Sequence, residues 1–102
     1  MSSVKIIECP RDAMQGIKTG IPTELKVAYL QALLSCGFDT LDFGSFVSPR
    51  AIPQMADTAA VLTGLDLSET KTKLLAIVAN LRGAEAALDY EAIEFIGYPF
   101  SI

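Results

Sequence analysis

Apolar residues fall along this chain in two alternating rhythms: short unbroken runs, and longer stretches with helical spacing. Val4 to Cys9 is a short run and predicts a strand. Pro22 and Thr23 then open a helix, because proline is tolerated at or just before a first turn and a threonine hydroxyl can cap exposed N–H groups. Along that helix Val27, Leu30, Leu33 and Leu34 share one face, and Gly37 is its C-terminal stop. Thr40 to Gly44 predicts a second strand. Pro49 and Pro53 flank the start of a second helix that runs to about Leu62, with Gly64 after it. Leu74 to Ala79 is almost continuously aliphatic, the pattern of a parallel strand buried on both faces. Arg82 to Leu88 predicts a short alanine-rich helix, and Ala92 to Ile96 a fourth strand.

Strands that alternate with helices imply an α/β fold with a parallel sheet and right-handed crossovers. A flavodoxin-like or Rossmann sheet and a (β/α)8 barrel both begin this way, and periodicity does not separate them. No G-x-G-x-x-G follows the first strand and no G-x-x-x-x-G-K-[ST] occurs, so the common nucleotide fingerprints are absent. The fourth strand is followed only by residues 98–102, with no helix to cover it, which leads to the expectation of one partial domain over 1–102, cut after its fourth strand.

Composition narrows the function. The chain has 102 residues, is 51% apolar and carries a formal charge of -4. Disorder is excluded by that apolar content, and an acidic balance argues against partners such as nucleic acid or an acidic membrane, which need a basic stripe. With no histidine, a histidine triad, general base or imidazole metal site within these residues is excluded. Neither a basic head with an apolar stretch behind it nor a run of membrane-spanning length is present. Cys9 and Cys36 are too few for a disulfide framework, which points to a reduced, cytoplasmic setting.

In parallel α/β folds the chemistry sits at the carboxyl ends of the strands. There this chain places Arg11, Asp12 and Gln15 after strand one, Asp42, Ser45 and Ser48 within and after strand two, and Asn80 after strand three. Asp12 could ligate a hard cation while Arg11 stabilises a developing enolate or carboxylate; Pro-Arg-Asp is equally turn chemistry. Asp42, out of phase with Leu41 and Phe43, is either partnered in a buried position or faces water at a strand end. Asn80 orients a substrate or caps the third helix, and Cys9 is a small buried hydrophobe rather than a reactive thiolate. Glu8 and Glu94 could pair structurally with Arg or Lys, Ser45 and Ser48 lack a local base, Met14 and Met55 belong to the core, and the scattered basic residues, Lys26 among them, are read as solvated.

These residues carry a resemblance. Lys5 to Gln15, Ile21 to Lys26, Ser45 to Arg50, Pro53 to Asp57, Asn80 to Gly83 and the Glu85-Ala86-Ala87 helix together closely resemble hydroxymethylglutaryl-CoA lyase across nearly the whole chain. The run Ser45-Phe46-Val47-Ser48-Pro49 followed by Pro53-Gln54-Met55 is the specific part; Arg11-Asp12 alone indicates only the wider superfamily of metal-dependent barrel lyases and Claisen-condensing synthases. The resemblance implies the N-terminal half, about (βα)3β, of a TIM (β/α)8 barrel that cleaves 3-hydroxy-3-methylglutaryl-CoA to acetyl-CoA and acetoacetate with Mg²⁺ or Mn²⁺. It implies Asp12 as a metal ligand, Arg11 as stabiliser of the acetyl-CoA enolate, Gln15 beside them, Asp42 in the place of a catalytic glutamate, and Ser45 near the acyl-CoA substrate.

The sequence departs from the family pattern at Ala13, where glycine is usual, at Asp42, and at Glu8-Cys9, one residue shorter than the usual Glu-Val-Gly. The family completes its metal site with an H-x-H pair and an asparagine and adds a loop cysteine, all in the second half of the barrel. The expectation is therefore that the 102-residue chain is inactive by itself and self-associates through an uncovered strand edge. The alternatives are a related acyl-CoA Claisen-condensing synthase, or a non-catalytic barrel piece that only associates.

Overall fold

A computed structural model describes residues 4–99; residues 1–3 and 100–102, which include most of the expected uncovered tail at 98–102, lie outside the described residues. The elements follow as β1 (Ile7–Glu8), α1 (Pro10–Gln15), α2 (Thr23–Leu34), β2 (Thr40–Phe46), a 3₁₀ turn (Pro53–Met55), α3 (Thr58–Gly64), β3 (Lys73–Val78), α4 (Leu81–Leu88) and β4 (Ile93–Gly97). The four strands form one parallel sheet in the order β1-β2-β3-β4.

Each element has a local cause. Pro10 starts α1 at a position where its missing N–H is no loss, so the Pro-Arg-Asp segment is the first turn of a helix and not only a turn. At α2 the cap is Pro22, without a side-chain bond, and the Thr23 hydroxyl donates instead to Asp57, against the expected threonine cap. Beyond α2 the chain turns through Gly37, whose φ of 82° suits glycine. The expected helix between Pro49 and Leu62 is split into the 3₁₀ turn and α3, with Ala56 and Asp57 between them.

The core lies between the sheet and the helices. Leu30 and Leu34 of α2, Val61 and Leu62 of α3, Leu41 and Phe43 of β2, and Leu74 and Ala76 of β3 form one cluster. Lys73, Leu75 and Ile77 alternate with them and are only half-buried, so β3 is sealed on one face rather than both. The first strand is shorter than Val4–Cys9, because only Ile7 and Glu8 take register partners on β2, at Thr40 and Leu41, although the Ile6 carbonyl also accepts from the Asp39 N–H.

At α4, Asn80 accepts a bond from the Gly83 N–H at 2.9 Å, so it serves as the helix cap. A Cβ on Gly83 would overlap the carbonyl oxygen of Phe46 at the end of β2. Gly83→Ala is therefore expected to cost about 2 kcal/mol by forcing α4 off the sheet, and to lower the melting temperature by roughly 10 °C. A melt matching the parent chain would contradict that contact.

Candidate functional site

The site grows from the adjacency of β1 and β2. Glu8 pairs with Leu41, so the turn into α1 brings Arg11 over Asp42. Arg11 Nε donates to both carboxylate oxygens of Asp42, at 3.1 and 3.0 Å. One helical turn on, Gln15 Oε1 accepts from Arg11 Nη1 at 2.9 Å. The Arg11 and Asp42 side chains are 14% and 5% exposed, which decides between the two readings of Asp42: it is buried and partnered. Burial pushes its carboxyl up from the ordinary value, and Arg11, through charge and hydrogen bond, offsets only part of that; Asp12 adds to the rise.

Asp12 behaves differently. Its side chain is 78% exposed, and among the described residues its one ion pair is a 3.9 Å approach to Arg11 Nη1. Among the described residues no group of three or more His, Cys, Asp or Glu side chains converges on a metal position.

Ser45 joins the site through an irregularity. The register between β2 and β3 slips between Asp42 and Gly44, which sets Asp42 beside Leu75 and Ser45 beside Ile77. Leu75 and Ile77 share a sheet face, so the slip aligns Asp42 and Ser45, three residues apart, on that same face. Ser45 is buried, and its Oγ is the one buried side-chain polar atom among the described residues without a partner.

Other candidates stand apart. Ser48 Oγ accepts from the Arg50 N–H in a local turn, and Asn80 is committed to capping. Cys9 is exposed, contrary to the expected buried hydrophobe, and its thiol is raised first by desolvation and then by Asp42, which keeps it from being a ready thiolate. Neither Glu8 nor Glu94 pairs with a basic side chain among the described residues; Glu8 accepts from the Cys9 N–H. Met14 and Met55 are in the interior, as expected.

Lys26 corrects a larger misreading. It is buried, with Nζ bonded to the Gln54 carbonyl and, at 2.6 Å, to Asp57. Desolvation alone would raise the Asp57 carboxyl, but the Lys26 and Thr23 hydrogen bonds outweigh it and hold it below the ordinary value. The signal was present in the sequence, since Lys26 lies on the same four-residue stripe as Leu30 and Leu34.

No family model matches the chain. A mitochondrial hydroxymethylglutaryl-CoA lyase of Arabidopsis thaliana is 38% identical over 92 residues, which is 89% of this chain and 19% of the relative. A cytoplasmic 3-hydroxy-3-methylglutaryl-CoA lyase of Rattus norvegicus is 37% identical over 92 residues, 89% of this chain and 26% of the relative. The solved structure of an HMG-CoA lyase from Acinetobacter baumannii in complex with coenzyme A and 3-methylmalate superposes with a TM-score of 0.84 and 32% identity, covering 94% of this chain and 33% of that one. The chain thus spans about a quarter or less of the length of these curated relatives. Of the architectures left open by periodicity, the fold is the N-terminal portion of a TIM barrel.

Proposed function

We propose, for a chain homologous to hydroxymethylglutaryl-CoA lyases along most of its length, that these residues form the β1–β2 sector of a carbon–carbon lyase. Its substrate is 3-hydroxy-3-methylglutaryl-CoA, its products are acetyl-CoA and acetoacetate, and it works with Mg²⁺ or Mn²⁺. The observation that carries this reading is the fixed Arg11 guanidinium. Asp42 holds Nε and Gln15 holds Nη1, while Nη2 has no hydrogen-bond partner among the described residues. A guanidinium oriented beforehand at a barrel rim can receive the negative charge that collects on the acetyl-CoA enolate when the carbon–carbon bond breaks.

Asp42 keeps the plane of Arg11 and balances its charge. Gln15 is the second anchor and reaches the substrate side of the same group. The unpartnered Ser45 Oγ offers a hydrogen bond to a substrate oxygen. Asp12 is the metal ligand, and its exposed carboxylate fits that role as a single ligand. A bound divalent ion supplies polarisation of the substrate hydroxyl and carboxylate oxygens. Hard cations take six or more oxygens, so one carboxylate holds such an ion weakly, and the remaining ligands lie outside these residues.

Titrating the chain with Mn²⁺ is expected to broaden the resonances around Asp12 first, at millimolar rather than micromolar metal, and Asp12→Asn is expected to abolish the effect. Equal broadening in that variant would overturn the ligand assignment. The same chain is expected to release no acetoacetate from the lyase substrate; release that EDTA abolishes would show that these residues suffice.

No helix among the described residues is long and apolar enough to cross a membrane. The relatives carry both mitochondrial and cytoplasmic names, and the cytoplasm is our reading for this chain. Self-association follows from the sheet edges. Ile6 and Ile7 at the β1 edge and Phe95 and Ile96 on β4 are all more than 40% exposed, and open parallel edges template pairing. Sedimentation is expected to show concentration-dependent species above the monomer, and a sharp monomer across the range would contradict this.

A further inference from the structure

One side chain outside the rim contacts three backbone groups of the loop that leads out of α1. Gln54, in the 3₁₀ turn, donates from Nε2 to the carbonyls of Ile17 and Thr19 at 2.9 and 3.0 Å. Its Oε1 accepts from the Ile21 N–H at 3.0 Å. Both donor positions and the acceptor of one carboxamide are therefore spent on residues 17–21. Its own carbonyl is in turn held by the buried Lys26 of α2.

The far end of that loop is α1 itself. The Ile17 N–H donates to the Met14 carbonyl at 3.0 Å, so Ile17 is bound on one side to α1 and on the other to Gln54. α1 is a single short helix of six residues, too short to hold its own position without outside contacts. It nonetheless carries Arg11, Asp12 and Gln15. We propose that Gln54 is a positioning residue: through the loop at 17–21 it sets the end of α1 and so holds the Arg11 guanidinium against Asp42.

This rests on the site assignment above, but the test reads the Arg11–Asp42 contact directly, so an absence of lyase activity would leave its outcome unchanged. The readout is proton exchange at the arginine Nε–H groups, followed by NMR. Arg11, Arg50 and Arg82 are the three arginines of the chain, and Arg11 is the one whose Nε–H bonds to a carboxylate among the described residues. Gln54→Met, close in size but without donors, is expected to speed Arg11 Nε–H exchange by about tenfold or more, as local opening of α1 becomes easier.

Gln31 provides the control. It makes a matching two-bond clamp from α2 to Asp66, away from the rim. Gln31→Met is expected to lower the melting temperature without altering Arg11 exchange. Gln54→Glu is the second variant, should the methionine chain not fold: it keeps the shape but sets a carboxylate against two carbonyls, and is expected to speed exchange at neutral pH and less so as the carboxyl is protonated. Arg11 exchange that is unchanged in the Gln54 variants, or that accelerates equally in Gln31→Met, would overturn the proposal.

Discussion

Asp57→Ala is expected to destabilise the chain by about 3 kcal/mol, the low end of the cost of stripping one partner from a buried ion pair. The low end applies because the Asp57 side chain is 26% exposed while that of Lys26 is 4% exposed. Without the carboxylate, the Lys26 ammonium keeps, among the described residues, only the Gln54 carbonyl as an acceptor, and Thr23 loses its bond at 2.7 Å as well. In a domain of this size the loss is expected to lower the melting temperature by roughly 15 °C. Thr23→Ala removes a single hydrogen bond and is expected to cost about 1 kcal/mol.

The effect has a pH signature. The Asp57 carboxyl lies below its ordinary 3.8 in the folded chain, so its contribution is present above that value and is lost as pH falls through the folded one. Asp42 runs the other way, because its carboxyl is raised in the folded chain. Between its ordinary and its raised value the folded chain binds the extra proton, and that group favours folding as the medium is acidified. Denaturant melts from pH 7 downward are thus expected to show the gap between parent and Asp57→Ala closing below about pH 4. A gap that persists unchanged to lower pH would contradict the ion-pair account.

Arg11→Met has its largest effect on chemistry. It leaves the Asp42 carboxylate, whose side chain is 5% exposed, without its cation, so the carboxyl rises further and is held neutral over a wider pH range. Within a complete barrel the variant would also remove the donor proposed for the enolate, a loss expected to lower turnover by about a hundred- to a thousandfold. Arg11→Lys restores the charge but not the planar fork that serves Asp42 and Gln15 together, so it is expected to recover little of the rate. Steady-state turnover of the three proteins, with thermal melts to show that each is folded, checks this. A methionine variant within about threefold of the parent rate would remove Arg11 from the mechanism.

Much of this architecture was legible from hydrophobic rhythm alone. The four strands and the long helix at α2 stand where the apolar runs and the Leu30–Leu34 stripe put them. The misses have physical causes. β1 shrank to Ile7–Glu8 because a strand exists only where a neighbour supplies its ladder, which no run of apolar residues reports. Asp42 could be singled out by its phase, but its partner Arg11 is 31 positions away, a distance that spacing arguments do not bridge. The register slip that turns Ser45 onto the face of Asp42 falls at Gly44, and a glycine inside a strand is the one mark it leaves in the sequence, too weak to fix the register by itself. Lysine is so seldom buried that Lys26 reads as solvated, although its position on an apolar stripe argues otherwise.

On this proposal, residues 4–99 would serve as the β1–β4 sector of a complete lyase barrel. Grafting them into the Acinetobacter baumannii enzyme in place of its matching segment, and assaying acetoacetate release from 3-hydroxy-3-methylglutaryl-CoA, decides whether they can. The hybrid is expected to fold cooperatively and to show metal-dependent release that EDTA abolishes and Arg11→Met reduces by at least about a hundredfold. A hybrid that folds cooperatively yet releases no acetoacetate, or whose release is indifferent to Arg11, would contradict it.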